Sequence, residues 1–296
     1  MNPHPVGNQP QIVESHATRS GFTVTEVLVS IAIIGILLAI TLPAVQSARA
    51  AAARMDCQSR LKQIILASHE YEASFGKLPG TFGTNTWHVR LLPYLEDSEL
   101  NETHSVYACP ADPLAEGRLN LSMVSFHANH GFGGNEGYID QGLPLKQSDI
   151  MDGLSQTAAY GERLAVPDPT RHSYYPTPSR ELWIRVFRKT AIYRADRREF
   201  AEECRDRALD PRFVTISIIG YTHTLTPNLN SCFNGPFRIS PDYFKPAVTA
   251  SSLHPGGINV AIADGSVKFV SSTVDQDVWW ALGTRDGGEA IVGSAF

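Results

Sequence analysis

The sequence lacks the charge excess and the motifs that mark several large functional classes. Its net charge is −5, whereas general nucleic-acid binders are basic. The Arg-rich stretch 180–212 carries interleaved acids, which is typical of a solvated helix face laced with ion pairs. No Gly-x-Ser-x-Gly, His-Glu-x-x-His, P-loop or EF-hand-like Asp-x-Asp-x-Asp-Gly pattern is present. These absences argue against a nucleic-acid partner and against an enzyme.

Charge is also missing from a long apolar run. The 19 residues from Val27 to Val45 contain no charged side chain, and as a helix they would be about 28 Å long, close to the hydrocarbon thickness of a bilayer. The run therefore predicts a transmembrane helix over residues 22–45. A buried core helix is one alternative, although it would usually be shorter and striped. The other is a secretory signal peptide, for which "SARA" at residues 47–50 offers a cleavage site.

One acid, Glu26, stands at the head of this run. A lone carboxylate in lipid costs a few kcal/mol at the bilayer centre and less near the edge, so it is best tolerated when paired. A cut between Gly21 and Phe22 would create a positively charged α-amino group four residues before Glu26. In a bundle of staggered identical helices, that amine could meet Glu26 of the next subunit. The acid would then set the register of assembly.

The segment "GFTVTE" (21–26), followed by the apolar run, resembles the prepilin-type signal of type IV pilins and type II secretion pseudopilins. The resemblance implies cleavage after Gly21 and N-methylation of Phe22 by a prepilin peptidase. It also implies that residues 1–21 are a leader peptide on the cytoplasmic side. Pro43 stands where pilin helices commonly carry a kinking proline.

Residues 46–76 continue in helical character beyond the apolar run. Apolar or small residues recur at spacings of three and four, which predicts one buried face; they are Leu61, Ile64, Ile65, Ser68, Tyr71 and Phe75. Gly76 is a plausible end of the helix, and Pro79 follows shortly after. We therefore expect one helix from about Thr23 to Phe75, with a membrane part followed by an amphipathic part.

Residues 77–296 are rich in Gly, Pro, Asn and short β-prone segments. The stretch 213–224 is predicted to form a strand. The stretch 257–270 is predicted to form a hairpin, with Asp264-Gly265 as a two-residue type I′ turn. A long helix against an antiparallel sheet is an α+β arrangement, and we expect this fold for the exported domain.

The same region resembles the domain-of-unknown-function 1559 family. The C-terminal signature of that family, His-x9-Asp-Gly, matches His254, Asp264 and Gly265. Further matching stretches are "MDCQSRLKQI" (55–64), "WHVRLLPYLE" (87–96), "CPAD" (109–112), "DIMDGLSQT" (149–157), "GE" (161–162) and "SSLHPGG" (251–257). Members of this family follow a prepilin-type leader, and their biochemical activity is not established.

Acidic residues near the C-terminus offer oxygen ligands for a hard cation. With His254 and Asp264, the candidates are Asp275, Asp277, Asp286 and Glu289. Asp286 and Glu289 in "TRDGGEA" could bind calcium, and major pseudopilins are known for a calcium site in their C-terminal loops. The alternative is structural: Asp264-Gly265 makes a turn and His254 bonds loop backbone. We expect no other cofactor.

Four cysteines allow three complete pairings if the domain is exported. We favour Cys204 with Cys232, because closing that loop of about 29 residues would contribute roughly 3.5 kcal/mol in the chain-entropy model. Cys57 with Cys109 is the pair that remains.

These observations predict a single-pass protein of the inner membrane whose C-terminal domain is exported to the periplasm or cell surface. The basic residues after the run (Arg49, Arg54, Arg60 and Lys62) oppose this orientation by charge bias, but the motif outweighs them. The expected function is structural, as a subunit of a type IV pilus or type II secretion pseudopilus. Its partners would be the prepilin peptidase, other pilin subunits and membrane lipid. The alternative is a membrane-tethered module that binds a solute or glycan.

Overall fold

The computed structural model describes residues 23–80, 86–95, 105–115, 117, 123–132, 136–139, 144–165, 188–191, 196–206, 220–234 and 247–289. The chain divides into two compact units between Ala48 and Arg49.

The predicted long helix is confirmed. Helix α1 spans Val24–Phe75, 52 residues, and contains Pro43. Among the described residues, it is the one helix long and apolar enough to cross a membrane. No part of its most apolar 18-residue window is buried, and this exposure argues against the alternative of a buried core helix. The alternative of a signal sequence stays open, because a signal sequence can be equally long and apolar.

The second half of α1 buries one face, as its spacing predicts. The buried residues are Cys57, Leu61, Ile64, Ile65, Ala67, Ser68 and Tyr71. The prediction was wrong for Phe75, which is 58% exposed. Phe75 ends the helix, and Gly76 has a φ of +67°, a left-handed conformation that suits glycine and turns the chain away.

A five-stranded sheet faces the second half of this helix. Its strands are β1 (Phe126–Asn129), β2 (Ala158–Glu162), β4 (Gly220–Tyr221), β6 (Gly257–Ile262) and β7 (Val267–Ser271), and they lie side by side in the order β4-β1-β2-β6-β7. The α+β class is confirmed, but the sheet is mixed, because β4 pairs with β1 in parallel while the other pairs are antiparallel. Of the predicted strand 213–224, residues 213–219 lie outside the described residues.

The hairpin of β6 and β7 is confirmed, but its turn differs from the prediction. Ile262 N donates to Ser266 O (2.8 Å), and Gly265 N donates to Ile262 O (2.9 Å). The loop therefore has three residues, and only Gly265 among them has a positive φ, +89°. A type I′ turn needs positive φ at both central residues, whereas a type I turn followed by a left-handed glycine does not.

The sheet separates two apolar clusters. On β6, Ala261 joins the cluster that includes the α1 face, whereas Ile258, Val260 and Ile262 join the opposite cluster. This alternation follows from the two-residue period of a strand. Asn259 therefore belongs to the face of β6 that meets α1.

The opposite cluster is covered by two shorter helices. They are α3 (Arg197–Asp206) and α4 (Gln276–Gly283), which contribute Phe200 and Trp279 to the cluster. The N-terminus of α4 is capped by Asp275, whose side chain accepts hydrogen bonds from Asp277 N and Val278 N in the first turn.

The remaining described elements are short. Helix α2 (Trp87–Leu91) is followed by 3-10 helices at Leu92–Tyr94, Ser105–Tyr107 and Gln147–Asp149. Strands β3 (Arg188–Ala191) and β5 (Cys232–Asn234) form a separate parallel pair.

Candidate functional site

Four motif stretches that are far apart in the sequence meet at one buried place between α1 and the sheet. Cys57 comes from "MDCQSRLKQI", Cys109 from "CPAD", Glu162 from "GE" and His254 from "SSLHPGG". One ligand atom of each lies within 4.8 Å of the others, and all four residues are buried. We call these four residues, together with Gln58 and Asn259, the helix–sheet clamp.

The covalent part of the clamp is a disulfide between Cys57 and Cys109. Cys57 lies on α1, and Cys109 directly follows the turn that begins with the 3-10 helix Ser105–Tyr107. Arg60, one turn further along α1, donates to Ser105 O and Ala108 O. The backbone that carries Cys109 is thus held to the helix by a covalent bond and by the Arg60 guanidinium.

The polar part of the clamp centres on Glu162 at the end of β2. Asn259 on the neighbouring strand donates from its backbone N to Glu162 Oε2 (2.9 Å) and from Nδ2 to Glu162 Oε1 (2.8 Å). Gln58 on α1 donates from Nε2 to Asn259 Oδ1 (3.0 Å). A buried carboxylate is costly unless it is bonded, and these contacts bond it while tying the helix to two strands.

His254 completes the clamp from the loop before β6. Its Nε2 lies 3.3 Å from Glu162 Oε1 and 3.5 Å from Cys109 Sγ. Both His254 and Glu162 side chains are 2% exposed. The backbone N of His254 donates to Ser252 Oγ, so Ser252 of "SSLHPGG" helps to hold the loop that presents the imidazole.

Further hydrogen bonds join α1 to the hairpin turn and to the sheet. Lys62 Nζ donates to Gly265 O (2.6 Å), and His69 Nε2 donates to Ala263 O (2.9 Å). Tyr160 OH donates to Ser68 Oγ (3.0 Å). Hydrogen bonds therefore join the hairpin turn and the sheet to α1 at several positions outside the clamp.

A small cavity adjoins the clamp. It is lined by polar and apolar residues that include Cys109, Asp112, Glu162, Arg163 and Ser252, and its empty volume is about 170 Å³. Burial lowers the pKa of Arg163 to about 10, so this guanidinium remains charged at neutral pH. Part of this volume is open to solvent, and the enclosed part has room for a water or a small ion rather than for a sugar.

The predicted processing residues are only partly described. Gly21 and Phe22 lie outside the described residues, and Pro43 lies inside α1. Glu26 forms a capping box that sequence reasoning missed: Thr23 N and Thr23 Oγ1 both donate to Glu26 Oε2 (2.8 Å each), and Glu26 N donates to Thr23 Oγ1 (3.3 Å). The Thr-x-x-Glu spacing of Thr23 and Glu26 is the sequence pattern that predicts such a capping box.

The two halves of the His-x9-Asp-Gly signature lie at opposite ends of β6. His254 precedes Gly257, and Asp264 follows Ile262, so a strand of six residues, about 20 Å, separates them. Asp264 Oδ1 accepts from Ser266 N in the hairpin turn. His254 and Asp264 therefore serve two different places, the clamp and the turn, and do not form one metal site.

The proposed calcium ligands lie in the C-terminal loop after α4. Asp286 is exposed. Glu289 Oε1 lies 3.4 Å from Arg197 Nη1, and Glu289 Oε2 accepts from Thr284 Oγ1. Arg197 and Thr284 thus already engage both oxygens of Glu289. Calcium binding by Asp286 and Glu289 stays a prediction.

The second disulfide joins Cys204 on α3 to Cys232 on β5. The two disulfides are the two pairs that the sequence analysis selected, and among the described residues no free cysteine is left. The Cys204–Cys232 bond lies in the opposite apolar cluster and connects the separate β3–β5 pair to α3.

Two buried histidines away from the clamp are held neutral. Burial lowers the pKa of His88 and of His223 to about 3. His223 Nδ1 donates to Trp279 O (2.7 Å), and its ring stacks on Trp279 with centroids 3.8 Å apart. These contacts make the His223 imidazole a packing element of the core, and the lowered pKa keeps both imidazoles neutral at neutral pH.

Glu162, Asn259 and Gln58 were not predicted from the sequence as site residues. Asn259 could have been recognised from its position within the apolar strand "GINVAI", because a buried amide there must form a hydrogen bond with a buried partner. Glu162 and Gln58 lie in stretches that match the family, but the resemblance assigns them no role, because that role depends on strands and a helix that meet only in the fold.

Two family models match the chain. One is described as a protein of unknown function (DUF1559) and matches residues 46–123 and 122–277. The other is described as a prokaryotic N-terminal methylation motif and matches residues 17–42. No curated protein and no solved structure matches the chain.

Proposed function

Because the chain belongs to the family described as a protein of unknown function (DUF1559) and carries a prokaryotic N-terminal methylation motif, we propose that it is a pilin- or pseudopilin-like structural subunit. A prepilin peptidase would cleave it after Gly21 and methylate Phe22. The mature subunit would be anchored by residues 22–45 in the inner membrane and would join a type IV pilus or a type II secretion pseudopilus.

The observation that carries this proposal is the placement of the methylation motif on α1. The motif covers the first part of a 52-residue helix whose apolar window is exposed. The later part of the same helix is buried against the sheet through the face that begins at Cys57. One helix thus offers an apolar segment for lipid or for other subunits and also carries the globular domain.

The capping box bears on the role of Glu26. Within one subunit, its carboxylate is bonded to Thr23 at the start of α1. The proposed α-amino group of Phe22 would lie next to Thr23 in sequence, so the amine and the acid stand at the same end of the helix. In the assembled fibre, the amine of a neighbouring subunit would compete with Thr23 for this carboxylate, and charge favours the amine.

Three substitutions separate an assembly role from a capping role. Glu26→Gln keeps a residue that can form the capping box but removes the charge, so we expect membrane insertion without incorporation into fibres. Glu26→Ala should give the same result. Thr23→Ala removes the cap and keeps the acid, so incorporation should persist. Fibre incorporation is measured by shearing and immunoblotting, and insertion by membrane fractionation.

The opposite pattern would contradict the proposal. If Glu26→Gln assembles normally and Thr23→Ala does not, Glu26 acts as a helix cap only. If no variant affects any fibre, the tethered binding module is the better account. Intact mass of the mature protein provides an independent check: a chain that begins at methylated Phe22 supports pilin processing, whereas one that begins at Ala51 supports ordinary secretion.

A further inference from the structure

The helix–sheet clamp contains the donor set of a transition-metal site. Cys57, Cys109, Glu162 and His254 are buried, and their sulfur, nitrogen and oxygen atoms lie within 4.8 Å of one another. Thiolate, imidazole and carboxylate are the ligands that Zn²⁺ takes in proteins, usually four in a tetrahedron. We propose that the clamp has two chemical forms: a disulfide when oxidised and a Zn²⁺ site formed by these four residues when reduced.

The separations in the clamp are close to those that a tetrahedral site requires. With bonds of about 2.0–2.3 Å to zinc, neighbouring ligand atoms are about 3.3–3.8 Å apart. His254 Nε2 already lies 3.3 Å from Glu162 Oε1 and 3.5 Å from Cys109 Sγ. Reduction would leave the two sulfurs free to move apart by side-chain rotation. The chain therefore needs small adjustments, and no strand has to move.

The orientation of two ligands is already fixed. Asn259 donates two hydrogen bonds to Glu162, and Gln58 in turn fixes Asn259. Such bonds to a metal-binding carboxylate usually orient it and raise affinity. The Nε2 atom of His254 faces both the carboxylate and Cys109 Sγ, so it is the nitrogen that would bind the cation.

The interconversion balances as follows. A dithiol reductant gives two electrons and two protons to the Cys57–Cys109 bond, so that the reductant becomes a disulfide and the chain carries two thiols. Zn²⁺ then replaces both thiol protons, which makes binding weaker at low pH. The cation also offsets the charges of two thiolates and a carboxylate in a buried place. In either form, α1 stays linked to the sheet.

The second disulfide provides an internal comparison. Among the described residues, Cys204 and Cys232 do not belong to any group of three or more metal-binding side chains. A chain with Cys204→Ser and Cys232→Ser therefore isolates the clamp, and we take this double variant as the parent for the test. The inference is independent of fibre assembly, because it concerns only the chemistry of one domain.

The experiment uses the full chain in detergent, treated anaerobically with a phosphine reductant that is then removed. Co²⁺ serves as the probe, because tetrahedral Co²⁺ with thiolate ligands has strong visible and near-ultraviolet bands. We expect the reduced parent to bind one equivalent with these bands, Zn²⁺ to displace it, and the oxidised parent to bind none. His254→Gln and Glu162→Gln should each weaken binding by at least about tenfold.

Several results would overturn the proposal. One is a reduced parent without the tetrahedral bands; another is binding that neither His254→Gln nor Glu162→Gln changes, since the cysteines alone would then hold the probe. Near-ultraviolet circular dichroism follows the fold in parallel. If the oxidised parent is folded but the reduced parent is unfolded both with and without Zn²⁺, the proposal is also contradicted, because the site requires α1 on the sheet.

Discussion

Removal of the Cys57–Cys109 disulfide tests how strongly the clamp stabilises the domain. The two cysteines are 52 residues apart, and the chain-entropy model gives about 4 kcal/mol for a loop of that length. Both are buried, at 0% and 4% exposure, so Cys57→Ala with Cys109→Ala also leaves unfilled space. For a domain of this size, 1 kcal/mol corresponds to about 2–4 °C in Tm. We therefore expect Tm to fall by about 8–16 °C.

The assay is thermal unfolding of the full chain in detergent, followed by near-ultraviolet circular dichroism. Trp87 and Trp279 are fully buried in the two apolar clusters, so this signal reports the domain rather than the apolar run. Cys204→Ala with Cys232→Ala is the matched control; its separation of 28 residues gives roughly 3.5 kcal/mol. A fall of less than about 3 °C for the Cys57–Cys109 pair, with a large fall for the control, would refute the assigned role.

Two further predictions concern the core. Ile64→Ala should lower the free energy of unfolding by about 2–5 kcal/mol, because Ile64 is fully buried on α1. The control, Leu66→Ala at an exposed position of the same helix, should lower it by less than about 1 kcal/mol. Equal effects of the two substitutions in urea unfolding would contradict the burial of Ile64. Burial lowers the pKa of His88 and His223 from 6.5 to about 3. Below pH 6.5 the unfolded chain therefore binds more protons than the folded chain, and the free energy of unfolding falls by roughly 1 kcal/mol per histidine for each unit by which the pH is lowered. His223→Gln should make this slope shallower, and an unchanged slope between pH 6 and pH 4 would count against the pKa assignment.

Local patterns were sufficient to predict much of the fold. The apolar run, the spacing of Leu61, Ile64 and Tyr71, and the glycine at position 76 predict α1 nearly to the residue, because helix periodicity and helix ends are local properties. The turn of the β6–β7 hairpin was assigned incorrectly, since Asp-Gly is compatible with two loop lengths. The parallel pairing of β4 with β1 involves strands some 90 residues apart along the chain, which no local pattern specifies.

The clamp shows why the site was harder to predict than the fold. The cysteines were recognised from their number, and His254 from a resemblance, but Glu162 and Asn259 lie on strands that are adjacent only because β2 pairs with β6. The sequence left two readings open for His-x9-Asp-Gly: one metal site with both His254 and Asp264, or a turn at Asp264-Gly265 with a separate structural His254. Strand β6 separates His254 from Asp264, and only the three-dimensional structure shows that His254 belongs to the clamp and Asp264 to the hairpin turn.

The disulfide of the clamp has a mechanical consequence. Cys57 is the first buried residue of α1, and the buried face extends from there to Tyr71. A pull on the N-terminal end of α1 would pass Arg54, whose guanidinium lies 3.4 Å from the centre of the Phe269 ring, and would then reach Cys57, where a covalent bond resists it. Peeling the helix past Cys57 from that end requires rupture or reduction of the disulfide, so non-covalent contacts along the face to Tyr71 are shielded from a force applied at the N-terminus.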